Sequence, residues 1–149
     1  MAEEPSLERT DIIARAYELI RPGANFILAT VDGDAAPHTR WMGAAALEKP
    51  DRVYMVTGAR SHKVVHIEVN PQVQMLFNSE GFEEVAAIGG IASVVEEDAV
   101  KRRIFEAVPT AGDYFEGPED PNFAVIAVRM QTIELVTADH KHAPFRVEL

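Results

Sequence analysis

The sequence predicts a mainly β protein, a six-stranded antiparallel β-barrel with flanking helices. Six runs rich in β-branched, aromatic and other apolar residues are separated by polar or glycine-containing connections, as expected for strands. The first two runs are joined by Asp32-Gly33-Asp34, a hairpin signal because glycine tolerates the positive φ that tight turns need. A chain that opens with a hairpin and adds short helices favours an antiparallel barrel over a parallel layered sheet.

The composition is that of an ordinary globular protein, and we expect residues 1–149 to form a single domain. The chain carries 24 acidic and 14 basic residues, so its formal net charge is −10. This balance argues against non-specific binding to nucleic acid and against binding to an acidic membrane. There is no cysteine, which excludes disulfides, thiol nucleophiles and thiolate zinc sites.

The N-terminal residues show no sign of export. The segment M-A-E-E-P-S-L-E-R-T lacks the basic start and apolar centre of a signal peptide. No run of the chain approaches membrane-spanning length. We therefore expect a cytoplasmic protein.

One N-terminal helix that packs on the barrel is predicted within residues 1–22. Apolar side chains recur at helical spacing from Leu7 to Ile20, and Arg21-Pro22-Gly23 ends the pattern. Nothing in this helix points to chemistry, so we assign it a packing role only.

The first two strands are predicted at residues 25–31 and at Pro37–Met42. Alternate side chains of a strand share a face, so His38, Arg40 and Met42 point one way. Arg40 is a charge inside an otherwise strand-like segment. It is either a surface-facing arginine or a guanidinium aimed at an anionic or carbonyl-rich ligand.

A basic turn leads into a helix near the middle of the chain. Residues 53–57 form an apolar, β-branched strand, which Gly58-Ala59-Arg60 interrupts. Ser61 is a good N-cap for a helix over His62–Val69, and Asn70-Pro71 ends that helix.

This turn is a candidate phosphate site. The first amides of a helix have no internal partner, and the helix dipole adds partial positive charge there. Arg60, His62 and Lys63 crowd basic side chains onto the same spot, with no carboxylate between residues 57 and 67. The alternative is a solvated basic surface whose serine only caps the helix. A basic island on an acidic chain favours the phosphate site.

The second half of the chain follows the same signals. Residues 43–51 are predicted as a small apolar connection and a turn. Strands are predicted at 73–77 and 85–95, followed by a helix at 96–108 and a loop at 109–122. The final predicted strand is at 123–136. Gly89-Gly90 inside a strand predicts a bulge or the close approach of another backbone or a ligand. His140 and His142 could share a strand face and grip a metal, but no third ligand is specified, so we assign no metal site.

The order of these elements resembles the pyridoxamine 5′-phosphate oxidase-like family, the FMN-binding split barrels. The resemblance is carried by residues 26–31, 37–42, 54–57, 61–63 and 70–77, which cover the N-terminal third to half of the chain. It implies a six-stranded antiparallel split barrel that binds FMN at a homodimer interface, with both subunits contributing. A dimer also buries the apolar face that a short sheet cannot cover alone.

The resemblance further implies which residues meet the cofactor. Family members use an arginine of the second strand with the backbone after it, a residue pair at the end of the third strand, and a Ser-Arg-Lys phosphate turn. The matching positions are Arg40, Trp41 and Met42 on the second strand, Val56 and Thr57 at the end of the third, and Ser61, His62 and Lys63 in the turn, with Arg60 one place earlier.

Two departures argue against pyridoxamine 5′-phosphate oxidase activity itself. The family's oxidases carry a flavin-contacting glutamine near the start of the fifth strand, where this chain has Val85. They also end in a Trp- and Arg-rich segment, whereas the single tryptophan here is Trp41 and the tail reads H-A-P-F-R-V-E-L. The chain instead resembles the general-stress-protein-26-like branch, in which flavin binding is retained.

We therefore expect an FMN-binding homodimer that acts as a flavin-dependent oxidoreductase on a small-molecule substrate. No catalytic residue is assigned, because hydride transfer to a flavin needs no protein acid or base. Three alternatives stay open: a flavin-binding stress or sensor protein without turnover, a relative that binds a deazaflavin or haem, and a split barrel that has lost its cofactor.

Overall fold

One antiparallel sheet of eight strands dominates the part of the chain that the computed structural model describes, residues 7–43 and 45–149. Within those ranges the helices are α1 (Arg9–Glu18), α2 (His62–Val69), α3 (Asp98–Ala107) and α4 (Ala111–Tyr114). The strands are β1 (Phe26–Val31), β2 (Pro37–Met42), β3 (Ala45–Glu48), β4 (Arg52–Gly58), β5 (Gln72–Asn78), β6 (Glu84–Val94), β7 (Phe123–Thr137) and β8 (His140–Glu148).

Strand β7 organises the sheet. It has 15 residues and pairs with β6 along one edge. Along its other edge the first half pairs with β4 and the second half with β8. The order is β2-β1-β5-β6-β7-β4-β3, with β8 beside β7. Since β2 and β3 end this path, the sheet is not a closed barrel, and the predicted mainly β, antiparallel split-barrel fold is confirmed.

The predicted count of six strands was too low, because β3 and β8 were missed. β3 lies inside the connection predicted at residues 43–51, and its alanines have little intrinsic preference for a strand. Pairing with β4 holds it, with Ala46 opposite Tyr54. β8 contains Pro144 and several charged residues, so its sequence does not read as a strand. Pairing with β7 nonetheless holds it in the sheet. The short α4 likewise lies within the predicted loop.

A bulge interrupts the pairing of β6 with β7, as the two glycines predict. The register shifts between Gly89 and Gly90. A Cβ atom on Gly90 would lie 2.5 Å from the carbonyl oxygen of Arg129, far closer than van der Waals contact. Only glycine therefore allows β7 to approach this closely.

Alternate side chains of the sheet build the main hydrophobic core beneath α1 and α2. Phe26 of β1 and Phe77 of β5 stack there with their ring centroids 4.8 Å apart. The helix α1 buries Ile12 against this core, and its Arg15 forms an ion pair with Glu84 of β6. A second, smaller cluster lies under α3 and α4. None of the helices in the described ranges is both long and apolar enough to span a membrane.

The helix α2 has the bounds that the sequence indicates. It packs on β1 and β6, so the basic turn at its start lies beside these strands. Val64 and Ile67 anchor it in the core. The three residues that connect β4 to α2 are held by backbone hydrogen bonds, from Ser61 N to Gly58 O at 3.1 Å and from Ala59 N to Asn122 O at 2.8 Å.

Candidate functional site

Arg40 is folded back onto β1 rather than extended into solvent. Its Nη1 donates to Thr30 Oγ1 at 2.7 Å, with longer contacts of 3.2 Å to His38 O and 3.3 Å to Leu28 O. Thr30 is fully buried, with none of its surface exposed. Partial burial also lowers the pKa of Arg40. Arg40 is therefore a partly buried, hydrogen-bonded arginine at the surface of the sheet.

Lys63, in the first turn of α2, is held in a closely similar way. Its Nζ donates to Thr57 Oγ1 at 2.7 Å, and Thr57, at the end of β4, is only 6% exposed. Burial lowers the pKa of Lys63, and the nearby positive charge of Arg40 lowers it further. The structure thus brings together two cations that the sequence separates by more than twenty positions.

Neither cation is neutralised by the part of the chain that the structure describes. Arg40 and Lys63 form no ion pair there, although the chain carries an excess of acidic residues. Two partly buried like charges repel each other, and an anion placed between them would relieve that repulsion. This arrangement can therefore bind an anionic group.

Ser61 stands at the N-cap position of α2 with extended backbone, but its side chain does not cap the helix. Its Oγ lies 3.3 Å from Thr57 Oγ1 instead, within the same group of hydroxyls that holds Lys63. The interpretation of Ser61 as a mere cap is therefore wrong. The first amides of α2 have no capping side chain, which leaves them able to donate to an anion.

Three histidines adjoin the two cations. The His66 ring lies 4.5 Å from the His38 ring and 6.4 Å from the His62 ring, measured between centroids. His66 Nδ1 lies 2.9 Å from Thr30 Oγ1, and His38 Nε2 lies 2.7 Å from Asp32 Oδ2. The hydrogen bond from His38, with help from backbone amides of the hairpin, lowers the pKa of Asp32 to about 2.

Sequence reasoning missed two members of the group around the two cations, Thr30 and His66, and it missed the neighbouring contact of Asp32 with His38. A signal existed for His66, because it follows His62 by four residues and therefore shares its helix face. Asp32 and His38 flank the same hairpin, whose ends must meet. No sequence signal marks Thr30. We call the group of Thr30, Arg40, Thr57, Lys63 and His66 the cationic site.

Three other residues named from the sequence do not bring their side chains to the cationic site. Trp41 is 65% exposed on the opposite face of β2, and Met42 is buried in the main core. Val56 packs against the smaller core cluster. The Arg60 side chain is exposed in the turn, one place before Ser61. The family resemblance assigns the backbone, not the side chains, of Trp41 and Met42 to the flavin. Because β2 lies at the end of the strand order, its backbone can still make that contact.

No metal site accompanies these residues. The described residues contain no group of three histidine, aspartate or glutamate side chains arranged to hold an ion. The side chains of His140 and His142 lie outside the described residues, so that candidate pair has no structural account. A cavity of about 770 Å³ lies elsewhere, between α1, the turn around Pro50 and Leu149, and no member of the cationic site lines it.

The chain matches a known family over most of its length. The family model described as pyridoxamine 5′-phosphate oxidase matches residues 15–137. General stress protein 26 of Bacillus subtilis (strain 168) is 30% identical over 125 residues, which cover 82% of this chain and 85% of that protein.

Solved structures resemble it as well. The crystal structure of General Stress Protein 26 from Bacillus anthracis str. Sterne has a TM-score of 0.75 at 25% identity, covering 93% of this chain and 98% of that one. An FMN-binding protein related to pyridoxamine 5′-phosphate oxidase, from Nostoc punctiforme PCC 73102, has a TM-score of 0.61 at 16% identity, covering 95% and 91%. The second likeness shows a shared fold alone.

Proposed function

The chain belongs to the pyridoxamine 5′-phosphate oxidase family, and from that premise we propose that it binds FMN and acts as a flavin-dependent oxidoreductase. One observation carries the cofactor proposal: Arg40 and Lys63 are close, partly buried and without a carboxylate partner in the described chain. We propose a substrate other than that of a pyridoxamine 5′-phosphate oxidase, because Val85 stands in place of the glutamine and the tail lacks tryptophan.

The chemistry of the donor groups fits the phosphate of FMN. A phosphate monoester carries a charge of about −1.5 to −2 at neutral pH and accepts several charged hydrogen bonds. In this proposal Lys63, Ser61 and Arg60 hold the phosphate together with the first amides of α2. Thr57 keeps the Lys63 ammonium in place, and His62 lies beside it on the helix.

The rest of the flavin would lie along β2. Arg40 and the backbone of Trp41 and Met42 would meet the isoalloxazine ring or the ribityl chain, and the contribution of Val56 would come from its backbone at the end of β4. When bound, FMN supplies the redox chemistry, while the chain binds and orients it. His38 and His62 are imidazole side chains near this region that could exchange protons.

We also propose a homodimer with FMN at its interface and both subunits contributing, as the family resemblance implies, in which the outward face of the sheet is also buried. Ile27 lies opposite Trp41 on one side and opposite Leu76 on the other, so three apolar side chains form a row across β2, β1 and β5. Trp41 is 65% exposed and Leu76 is 37% exposed. A second copy that covers this row would bury area that the single chain leaves in water.

The visible absorption spectrum of the purified protein, with and without added FMN, tests the cofactor proposal. We expect bands of a bound oxidised flavin at one FMN per chain. A colourless protein that does not take up FMN would overturn the proposal, and deazaflavin and haem would then be titrated in the same way. Reduction of the bound flavin by a nicotinamide donor, followed by reoxidation with an acceptor, distinguishes an oxidoreductase from a flavin-binding stress or sensor protein without turnover.

A further inference from the structure

The contacts among Arg40, Thr30 and His66 have a definite direction. Arg40 Nη1 can only donate, so Thr30 Oγ1, 2.7 Å away, accepts. The same oxygen lies 2.9 Å from His66 Nδ1. Thr30 is fully buried, and leaving its hydroxyl hydrogen without an acceptor would cost free energy, so the hydroxyl donates to Nδ1. The His66 ring is then neutral, with its hydrogen on Nε2.

The surroundings of His66 favour the same neutral ring. Partial burial lowers the pKa of His66, and repulsion from His38 and Arg40 on β2 lowers it further. His62 on the same helix acts in the same direction, whereas Asp32 in the hairpin raises it. These groups face the ring from β2, from the hairpin and from α2 itself.

We propose that Thr30 and His66 are positioning residues that hold Arg40 in place for FMN, and that this role requires a neutral His66. The proposal rests on the proposed function and adds a regulation to it: acid pH weakens FMN binding through His66. No direct contact between His66 and the cofactor is needed, because its effect reaches the flavin through the guanidinium.

Protonation of His66 disturbs the hydrogen bonds that join Arg40, Thr30 and His66 in two ways. A hydrogen on Nδ1 would point at Thr30 Oγ1, which would then face two donors while its own hydrogen lost its acceptor. A further positive charge would also stand beside Arg40. Both changes displace the guanidinium from its place on β1.

Variants of Thr30 test the positioning role. Thr30→Val removes the hydroxyl at nearly constant shape, and Thr30→Ser restores it. Thr39→Val makes the same change on an exposed position of β2 and is the matched control. In a flavin-fluorescence titration at pH 8, we expect Thr30→Val to weaken FMN binding about three- to tenfold, the size of one hydrogen bond. Thr30→Ser should recover most of this loss, and Thr39→Val should show none.

The pH dependence is tested with His66→Asn, since an asparagine oxygen can replace Nδ1 as an acceptor without titrating. The phosphate of FMN also loses charge near pH 6, but it does so equally with every variant. The informative quantity is therefore the difference between the two proteins. Between pH 8 and pH 5 we expect the wild type to lose about two- to tenfold more affinity than His66→Asn.

The ring itself can be observed without the cofactor. Nitrogen-15 shifts of His66 in the FMN-free protein at pH 8 should report a neutral ring with its hydrogen on Nε2. A ring with its hydrogen on Nδ1, or an unchanged FMN affinity in Thr30→Val, overturns the inference while FMN binding stands. A wild-type protein that binds no FMN at either pH overturns the proposed function and the inference together.

Discussion

Arg40 and Lys63 reach the cationic site from different elements, yet each donates a 2.7 Å hydrogen bond to a buried threonine hydroxyl. Thr30 accepts the bond from Arg40, and Thr57 accepts the bond from Lys63. Both hydroxyls lie at the ends of strands, where they fix long flexible cations in place. Such pre-organised donors lose less side-chain entropy when an anion binds than free surface cations would.

Lys63→Ala should weaken FMN binding by roughly 1.5–3 kcal/mol, the scale of a charged hydrogen bond. The physical reason is the loss of the partly buried cation that is proposed to hold the phosphate. A fluorescence titration measures the effect, with Lys49→Ala as a control that removes an exposed lysine from a distant turn. Equal FMN affinities for Lys63→Ala and the wild type would remove the phosphate role of Lys63.

Asp32→Asn should destabilise the folded protein in a pH-dependent way. Since the hydrogen bond with His38 lowers the folded-state pKa of Asp32 to about 2, the stabilisation is present above the ordinary aspartate pKa of 3.8. It is lost as the pH falls from 3.8 through about 2. Thermal melts should show a higher Tm for the wild type at pH 5 and a shrinking difference towards pH 2.

Asp34→Asn also removes one negative charge, two residues away from Asp32, and is therefore the control for net charge in the thermal melts. A difference in Tm between wild type and Asp32→Asn that stays constant down to pH 2 would contradict the role assigned to the hydrogen bond with His38.

Trp41→Glu should dissociate the proposed homodimer. A carboxylate at this position would have to be desolvated in the interface beside Ile27 and Leu76, so we expect the dimer dissociation constant to rise at least about tenfold. Sedimentation or light scattering measures this change. Tyr114→Glu, on another exposed aromatic residue, is the matched control. A Trp41→Glu protein that stays dimeric would place the interface elsewhere.

Gly90→Ala should lower the free energy of unfolding by about 1–3 kcal/mol, the cost of forced overpacking. The added Cβ would meet the backbone oxygen of Arg129 at 2.5 Å, and a paired backbone cannot easily move away. Gly117→Ala has no atom within 4 Å of its new Cβ, so its unfolding midpoint in urea should stay close to that of the wild type. Similar losses for both variants would show that the bulge does not require glycine.

Elements that depend on local chemistry were predictable from the sequence. The helix α2 begins and ends where Ser61 and Asn70-Pro71 indicate, and β1 and β2 form the predicted hairpin. The loop of that hairpin spans residues 32–36, and its positive φ falls on Ala35 rather than on Gly33, so the glycine was the wrong reason for a correct hairpin. The glycine pair marks the bulge in β6. In contrast, β3 and β8 lack strong local strand signals, and their formation depends on pairing with strands that are already in place.

The sequence by itself determined the fold class, the basic turn and the family resemblance, because each depends on residue type and short-range order. Only the tertiary structure decided which hydroxyl meets which cation. The register that sets Arg40 opposite Leu28 puts its side chain on the same face of the hairpin as Thr30, whereas a slip by one residue would turn the guanidinium to the other face. The contact between Thr30 and His66 joins residues 36 positions apart, and it exists because the core packing of α2 brings that helix onto β1.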